Sequence, residues 1–153
     1  MSIGGLRQLR LPELRIGKLV AKVPVIQGGM AIRLSTAPLA AAVAREGGIG
    51  LIAASGMTVD ELRNEIKLAR SLTEGIIGIN MMVAARSFAV MIKTAIEEGI
   101  DLVVAGAGFS RDMFALGKES GTPIVPIVSS AKLARISEVL GAAAVIVEGK
   151  EAG

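Results

Sequence analysis

The residues of this chain that could do chemistry sit where apolar runs end. The run Val23-Pro-Val-Ile26 stops at Gln27-Gly28-Gly29-Met30, a polar side chain followed by two glycines. Glycines directly after a buried segment let the backbone itself press against a ligand, although the same pair would also serve a tight turn. Asn80 interrupts the apolar run Ile76–Val83, and a buried amide must find partners, either neighbouring backbone or a bound molecule. Gly106-Ala-Gly108 and Glu148-Gly149 tip two further runs, the latter carrying a carboxylate that by itself reads as solvated. Such residues offer hydrogen bonds and close approach rather than bond-making. The chain has no histidine and no cysteine, so no nucleophile–base pair of the usual kind can be assembled and hydrolysis has nothing behind it. Disulfides and Cys–zinc sites are absent for the same reason, and no metal site is expected.

The elements that must hold these tips alternate. After the Val23 run, apolar segments at Ile49–Ala54, Ile76–Val83, Leu102–Ala105, Ile124–Val128 and Ala144–Val147 predict six strands, the last two tipped by Ser129-Ser130 and Glu148-Gly149. Between them lie helical patterns. One starts near Ser35/Thr36, carries Pro38 in its first turn and ends at Gly47; Gly47-Gly48 reads as a helix stop. Thr58-Val-Asp-Glu61 is a capping box ahead of Leu62, Ile66 and Ala69. Ser87 is expected to cap a helix with Phe88, Met91, Ile92, Ala95 and Ile96 at helical spacing and Gly99 as the stop. Ser110 opens a helix carrying Met113 and Phe114 to Gly121, and Ser129/Ser130 open one carrying Leu133, Ile136 and Leu140 to Gly141.

Strands alternating with helices predict right-handed βα units and a parallel sheet. A doubly wound sheet would place a phosphate-binding glycine fingerprint after its first strand. The one G-x-G, Gly106-Ala-Gly108, follows the fourth strand instead. A polar or glycine tip at nearly every strand end matches the (β/α)8 TIM barrel, which needs eight units where about six are present here. The expectation is an α/β chain that is either an open sheet or such a barrel lacking two units. Residues 1–22 are expected to form an N-terminal arm, with Leu14–Ile16 and Leu19–Val20 as a hairpin plugging the bottom of the core, and residues 23–153 the partial barrel.

Composition narrows the function. Hydrophobic residues make up 52% and mean hydropathy is +0.61, yet charges or glycines interrupt every apolar stretch before it could span a membrane. Strands covered on both faces account for such hydropathy. Lys+Arg 17 against Asp+Glu 14 leaves only +3, and aromatics are 2%, too little charge and stacking surface for nucleic acid. Met1–Pro12 lacks an apolar signal core, and with no cysteine a cytoplasmic setting is expected.

The segments P-V-I-Q-G-G-M-A (24–31), G-G-I-G-L-I-A-A (47–54), G-I-N-M-M-V (78–83), A-G-A-G (105–108), P-I-V-S-S-A-K (126–132) and V-E-G-K-E-A-G (147–153) resemble, in order, the nitronate monooxygenase family, formerly 2-nitropropane dioxygenases. The resemblance runs from about Ile16 to Gly153. It implies an FMN-dependent (β/α)8 oxidoreductase with the flavin across the C-terminal mouth, Gly28, Gly29 and Met30 under its ring, and contacts from Asn80, Glu148 and Gly153. Flavin-dependent enoyl-acyl-carrier-protein reductases share much the same motifs. Glu at the Glu148 position is common in those reductases, whereas the arm R-I-G-K-L-V-A-K-V-P (15–24) is more like the monooxygenase branch. The resemblance also implies that the family histidine, and the seventh and eighth strands with their phosphate-binding amides, would lie beyond Gly153. Oxidation of an alkyl nitronate with O2, reduction of an enoyl thioester with NAD(P)H, and a non-catalytic part-barrel all remain open. A small-molecule substrate is expected, with self-association or a complementing chain covering open strand edges.

Overall fold

A computed structural model describes residues 11–151. A short antiparallel hairpin, β1 (Leu14–Ile16) and β2 (Leu19–Ala21), turns at Gly17 and Lys18 as the arm pattern predicts. The parallel sheet follows as β3 (Ile49–Ala53), β4 (Ile76–Met82), β5 (Leu102–Gly106), β6 (Ile124–Val128) and β7 (Ile146–Val147). Five helices alternate with it: α1 (Ala37–Arg45), α2 (Val59–Leu72), α3 (Phe88–Glu97), α4 (Asp112–Ser120) and α5 (Ala131–Leu140).

Strand order is the order of the chain, β3-β4-β5-β6-β7, with Ile26 bridged to Ile49 on the outer side of β3. A doubly wound sheet reverses direction and carries helices on both faces. Here the direction never reverses, and the two faces have different partners. The outward residues Ile52, Ile77, Ile79, Met81, Val103 and Ala105 pack with Ala40, Leu62, Ile66, Met91, Ile92 and Phe114 of the helices. The inward residues Ile49, Leu51, Leu102, Val104 and Val125 form a second cluster with Ile16 and Ala21 of the hairpin. Helices outside and side chains filling a curved interior are the construction of a (β/α)8 barrel, and the sheet is part of one.

The hairpin closes the bottom of that interior. Gly17 lies against Pro123 and Ala143, at the N-terminal ends of β6 and β7. A polar clamp holds the same end: Arg70 pairs with Asp101 at 2.7 Å and donates to the carbonyls of Gly75 and Gly99, while the Asp101 carboxylate accepts from Ile77 N–H at 2.8 Å.

Four local expectations need correction. The Val23 segment is not a fully buried strand: it makes a single bridge at Ile26, and Val25 is 50% exposed. Among the described residues its backbone pairs across to the β3 side alone, and Pro24 has no N–H to give. The sixth predicted strand shrinks to Ile146–Val147 and the fourth helix starts at Asp112 rather than Ser110. Ser87 stands at a helix N-terminus without a side-chain capping bond. By contrast, both halves of the Thr58–Glu61 capping box form, and Ser130 caps α5 through Leu133 N–H.

Candidate active site

The pleat decides which strand residues face inward at the C-terminal end. In β4 the outward set Ile77, Ile79 and Met81 leaves Gly78, Asn80 and Met82 on the inner face. Register places Asn80 beside Ala53 of β3 and Val104 of β5. Above Leu51 and Val104 the interior is no longer filled, and a cavity of about 600 Å³ opens. Gln27, Gly28, Gly29 and Met30 form one wall, Asn80 and Met82 the middle, Gly106 and Ala107 the next tip, and Ile127, Ile146 and Glu148 the far side. Five of the six residues singled out from the sequence therefore line one cavity. The sixth, Gly153, lies outside the described residues.

Gly29 is required by its neighbour. A Cβ there would run into Asn80 Cβ and stand 2.6 Å from its Cγ, so only glycine lets the loop rest on the Asn80 side chain. At Gly106 the constraint is milder, since a Cβ would fall 2.9 Å from Cδ1 at the movable end of the Ile127 side chain. Next to it, Ala107 holds a left-handed backbone with φ of 50° at the cavity edge, a conformation that costs a side-chain-bearing residue roughly 1–2 kcal/mol.

Asn80 is only partly buried, and its surroundings decide between the two roles open to it. Leu51 N–H goes to Gln27 and Met82 N–H to Ser55 Oγ, while no side-chain hydrogen bond among the described residues uses the Asn80 amide. The amide is not tied to neighbouring backbone. It faces the cavity with its hydrogen-bonding capacity free. Gln27 is the opposite case: its Oε1 accepts from Leu51 N–H at 3.1 Å, and its Nε2 donates to Ser35 Oγ at 2.7 Å and to the Gly28 carbonyl. Glu148 is exposed at the rim, its own N–H bonded to the Val128 carbonyl at 3.0 Å.

Ser35 was legible in the sequence only as a helix start. It is wholly buried and caps nothing. The first N–H of α1, that of Ala37, donates to Glu65 of α2 at 2.6 Å, and Thr36 makes no side-chain capping bond. No spacing rule links Glu65 to a helix 28 residues earlier. The loop before α1 is held to α2 a second time by Arg33 on Glu61 at 2.8 Å. The Thr58 backbone N–H, and after it Arg33, hold the Glu61 carboxyl below its ordinary value of 4.5.

A family model for nitronate monooxygenase matches residues 13–153. The chain belongs to that family. Among solved structures, FabK from Thermotoga maritima superposes with a TM-score of 0.79 at 40% identity, over 82% of this chain and 40% of that one. Nitroalkane oxidase from Streptomyces ansochromogenes superposes equally well, TM-score 0.79 at 26% identity, over 87% of this chain and 48% of that one. A curated relative from Mycobacterium tuberculosis, (3aS,4S,5R,7aS)-5-hydroxy-7a-methyl-1-oxo-octahydro-1H-indene-4-carboxyl-CoA dehydrogenase, is 33% identical over 130 residues, and its Rhodococcus jostii counterpart is 32% identical. The chain spans 36% of the length of these curated relatives. Among the described residues no helix is long and apolar enough to cross a membrane.

Proposed function

We propose that this chain forms the ring-binding part of an FMN-dependent oxidoreductase that oxidises alkyl nitronates with O2. The observation that carries the reading is the convergence of Gly28, Gly29, Met30, Asn80 and Glu148 on one cavity where a glycine loop rests on an amide with no side-chain hydrogen-bond partner among the described residues. The residues present fit a flavin ring. A flat, largely apolar group needs close backbone approach, which Gly28 and Gly29 allow, and a few placed hydrogen bonds, which the Asn80 amide can give to ring oxygens or nitrogens. Met30 and Met82, 45% and 46% exposed, offer soft apolar contact at the mouth. Gly153 is assigned to the same site by family resemblance alone.

When bound, FMN would supply the redox chemistry, taking electrons from the substrate and passing them to O2. The chain's own contribution is to bind and orient: the glycine loop supports one side of the ring, Asn80 sets its rotation, and Glu148 stands at the rim where a substrate enters. No histidine is available as a base within these 153 residues. We place the protein in the cytoplasm and expect a second copy or a complementing chain over its exposed edge residues, Val25 at 50% and Val147 at 71%.

A second reading is redox chemistry on a thioester, with NAD(P)H reducing the flavin. Glu148 favours it, and so does the carboxyl-CoA substrate named for the two curated relatives. One experiment separates the readings. The purified chain is loaded with FMN, then given alkyl nitronate with O2 uptake followed, and separately NAD(P)H with an enoyl thioester. Nitronate-driven O2 uptake is the expected result. Thioester-driven NAD(P)H consumption would replace the reading by the second. FMN retention on gel filtration without either turnover would make the chain a binding part-barrel, and a colourless chain would contradict the flavin reading itself.

A further inference from the structure

We propose that Ser35 and Gln27 are positioning residues that latch the Gly28–Met30 loop in the conformation that receives the flavin ring. The proposal rests on the flavin reading for its ligand, but the latch itself is argued from the hydrogen bonds alone.

The loop leaves the sheet at a defined rung. Ile49 N–H of β3 donates to the Val25 carbonyl at 2.9 Å, and Gln27 N–H donates to the Ile49 carbonyl at 3.0 Å, as in any parallel ladder. The next rung would take Leu51 N–H to the Gln27 carbonyl. It goes instead to Gln27 Oε1, so the side chain replaces its own backbone and frees the chain to turn away at Gly28. One rung further, Ala53 N–H donates to the Ser35 carbonyl at 2.8 Å. Residues 28–34 are thus excised from the ladder between two anchored ends.

Ser35 then ties the excised loop down. A hydroxyl has one proton and two lone pairs. Ser35 Oγ accepts from Met30 N–H at 2.9 Å and from Gln27 Nε2 at 2.7 Å, and it donates to the Gly28 carbonyl at 3.0 Å. Its capacity is used up within the loop. Leu51 N–H can only donate, which fixes Gln27 Oε1 as the acceptor and Nε2 as the donor to Ser35 and Gly28. The Ser35 backbone N–H completes the set by donating to the Met30 carbonyl at 3.0 Å. The peptide groups on either side of Gly29 are therefore held inward. Gly29 N–H has no acceptor among the described residues and is left as a free donor beside the Asn80 amide. Ser35 does not line the cavity, so it acts only through the loop.

The test compares wild type with Ser35→Ala, Ser35→Thr and Gln27→Met. Amide exchange is followed by NMR, FMN affinity by fluorescence titration, and the unfolding midpoint in urea. For Ser35→Ala the Met30 amide should exchange at least about tenfold faster while Ile52 and Ile79 amides hold. FMN should bind at least about tenfold more weakly to the folded protein, with the threonine variant recovering most of the affinity. A hydroxyl with only a structural role would lower the urea midpoint and leave the affinity of the folded protein unchanged, and that result overturns the proposal. So would an Ala variant that keeps Met30 protected. If Ser35→Ala does not fold, Gln27→Met decides by the same two readouts, because it removes both the Leu51 acceptor and the second donor to Gly28. If wild type itself binds no FMN, the flavin reading fails, and the exchange data alone decide whether the latch exists.

Discussion

The two ends of the sheet are built from the same strands and treat the polar groups Asp101 and Asn80 in opposite ways. At the N-terminal end the Asp101 carboxylate is used by Arg70 and by Ile77 N–H, and the hairpin lays Ile16 and Ala21 over the inner residues. Hydrogen-bonding capacity there is spent on the protein itself. At the C-terminal end the Asn80 amide has no side-chain hydrogen-bond partner among the described residues, Gly29 keeps space clear over it, and Ala107 holds a strained backbone. Saturated groups make stability, and free groups beside a cavity make binding. In barrels of this kind chemistry resides at the C-terminal ends of the strands, and the division seen here has that polarity.

The contrast can be broken by substitution. Leu102→Ala removes a fully buried inner side chain near the bottom and should cost about 2–5 kcal/mol of stability in urea unfolding. FMN affinity of the folded fraction should hold, and a parallel loss of affinity would show that the two ends are not separable. Asn80→Ala should do the reverse. With no protein hydrogen bond to lose, the unfolding free energy should change by less than about 1 kcal/mol, while FMN affinity falls about tenfold or more. Stability falling together with affinity would return Asn80 to a structural role.

The smallest effect tests the loop's outer anchor. Glu61 is held below its ordinary carboxylate value, so the stability it contributes is full above that value and is lost as pH falls through the lowered one. Acid titration of wild type against Glu61→Gln should show a modest extra loss of stability in wild type below about pH 4.5, the ordinary value for this group. Identical acid limbs in the two proteins would mean that the Thr58 and Arg33 contacts add nothing in solution.

Much of this arrangement is legible in the sequence. The hairpin, the alternation of strands and helices, the capping box and the strand tips follow from apolar periodicity and from glycine and hydroxyl punctuation, all of which are local signals. Asn80 stands out because an amide in an apolar run needs a partner, yet only the fold shows that the described residues supply none to its side chain. What stayed hidden depends on contacts between distant segments. Ser35 looked like a helix start because serines before helices commonly are, and its bonds to Gly28 and Met30 depend on how the loop folds back. Glu65 at the start of α1 has no local signature at all. The Val23 segment carries the composition of a buried strand, but burial of a strand depends on both of its neighbours, and among the described residues only β3 pairs with it.

The central claim is that the cavity above Leu51 and Val104 receives the flavin ring. Titrating the isotope-labelled chain with FMN and mapping the amide shifts tests it directly. The account predicts that the largest shifts fall on Gly28, Gly29, Met30, the Asn80 side-chain amide and Glu148, with Asp101 and the β1–β2 hairpin unmoved. Shifts confined to the groove between the hairpin and the ends of α1 and α2, at Val20, Lys22 and Thr73, or no saturable shifts at all, would contradict it.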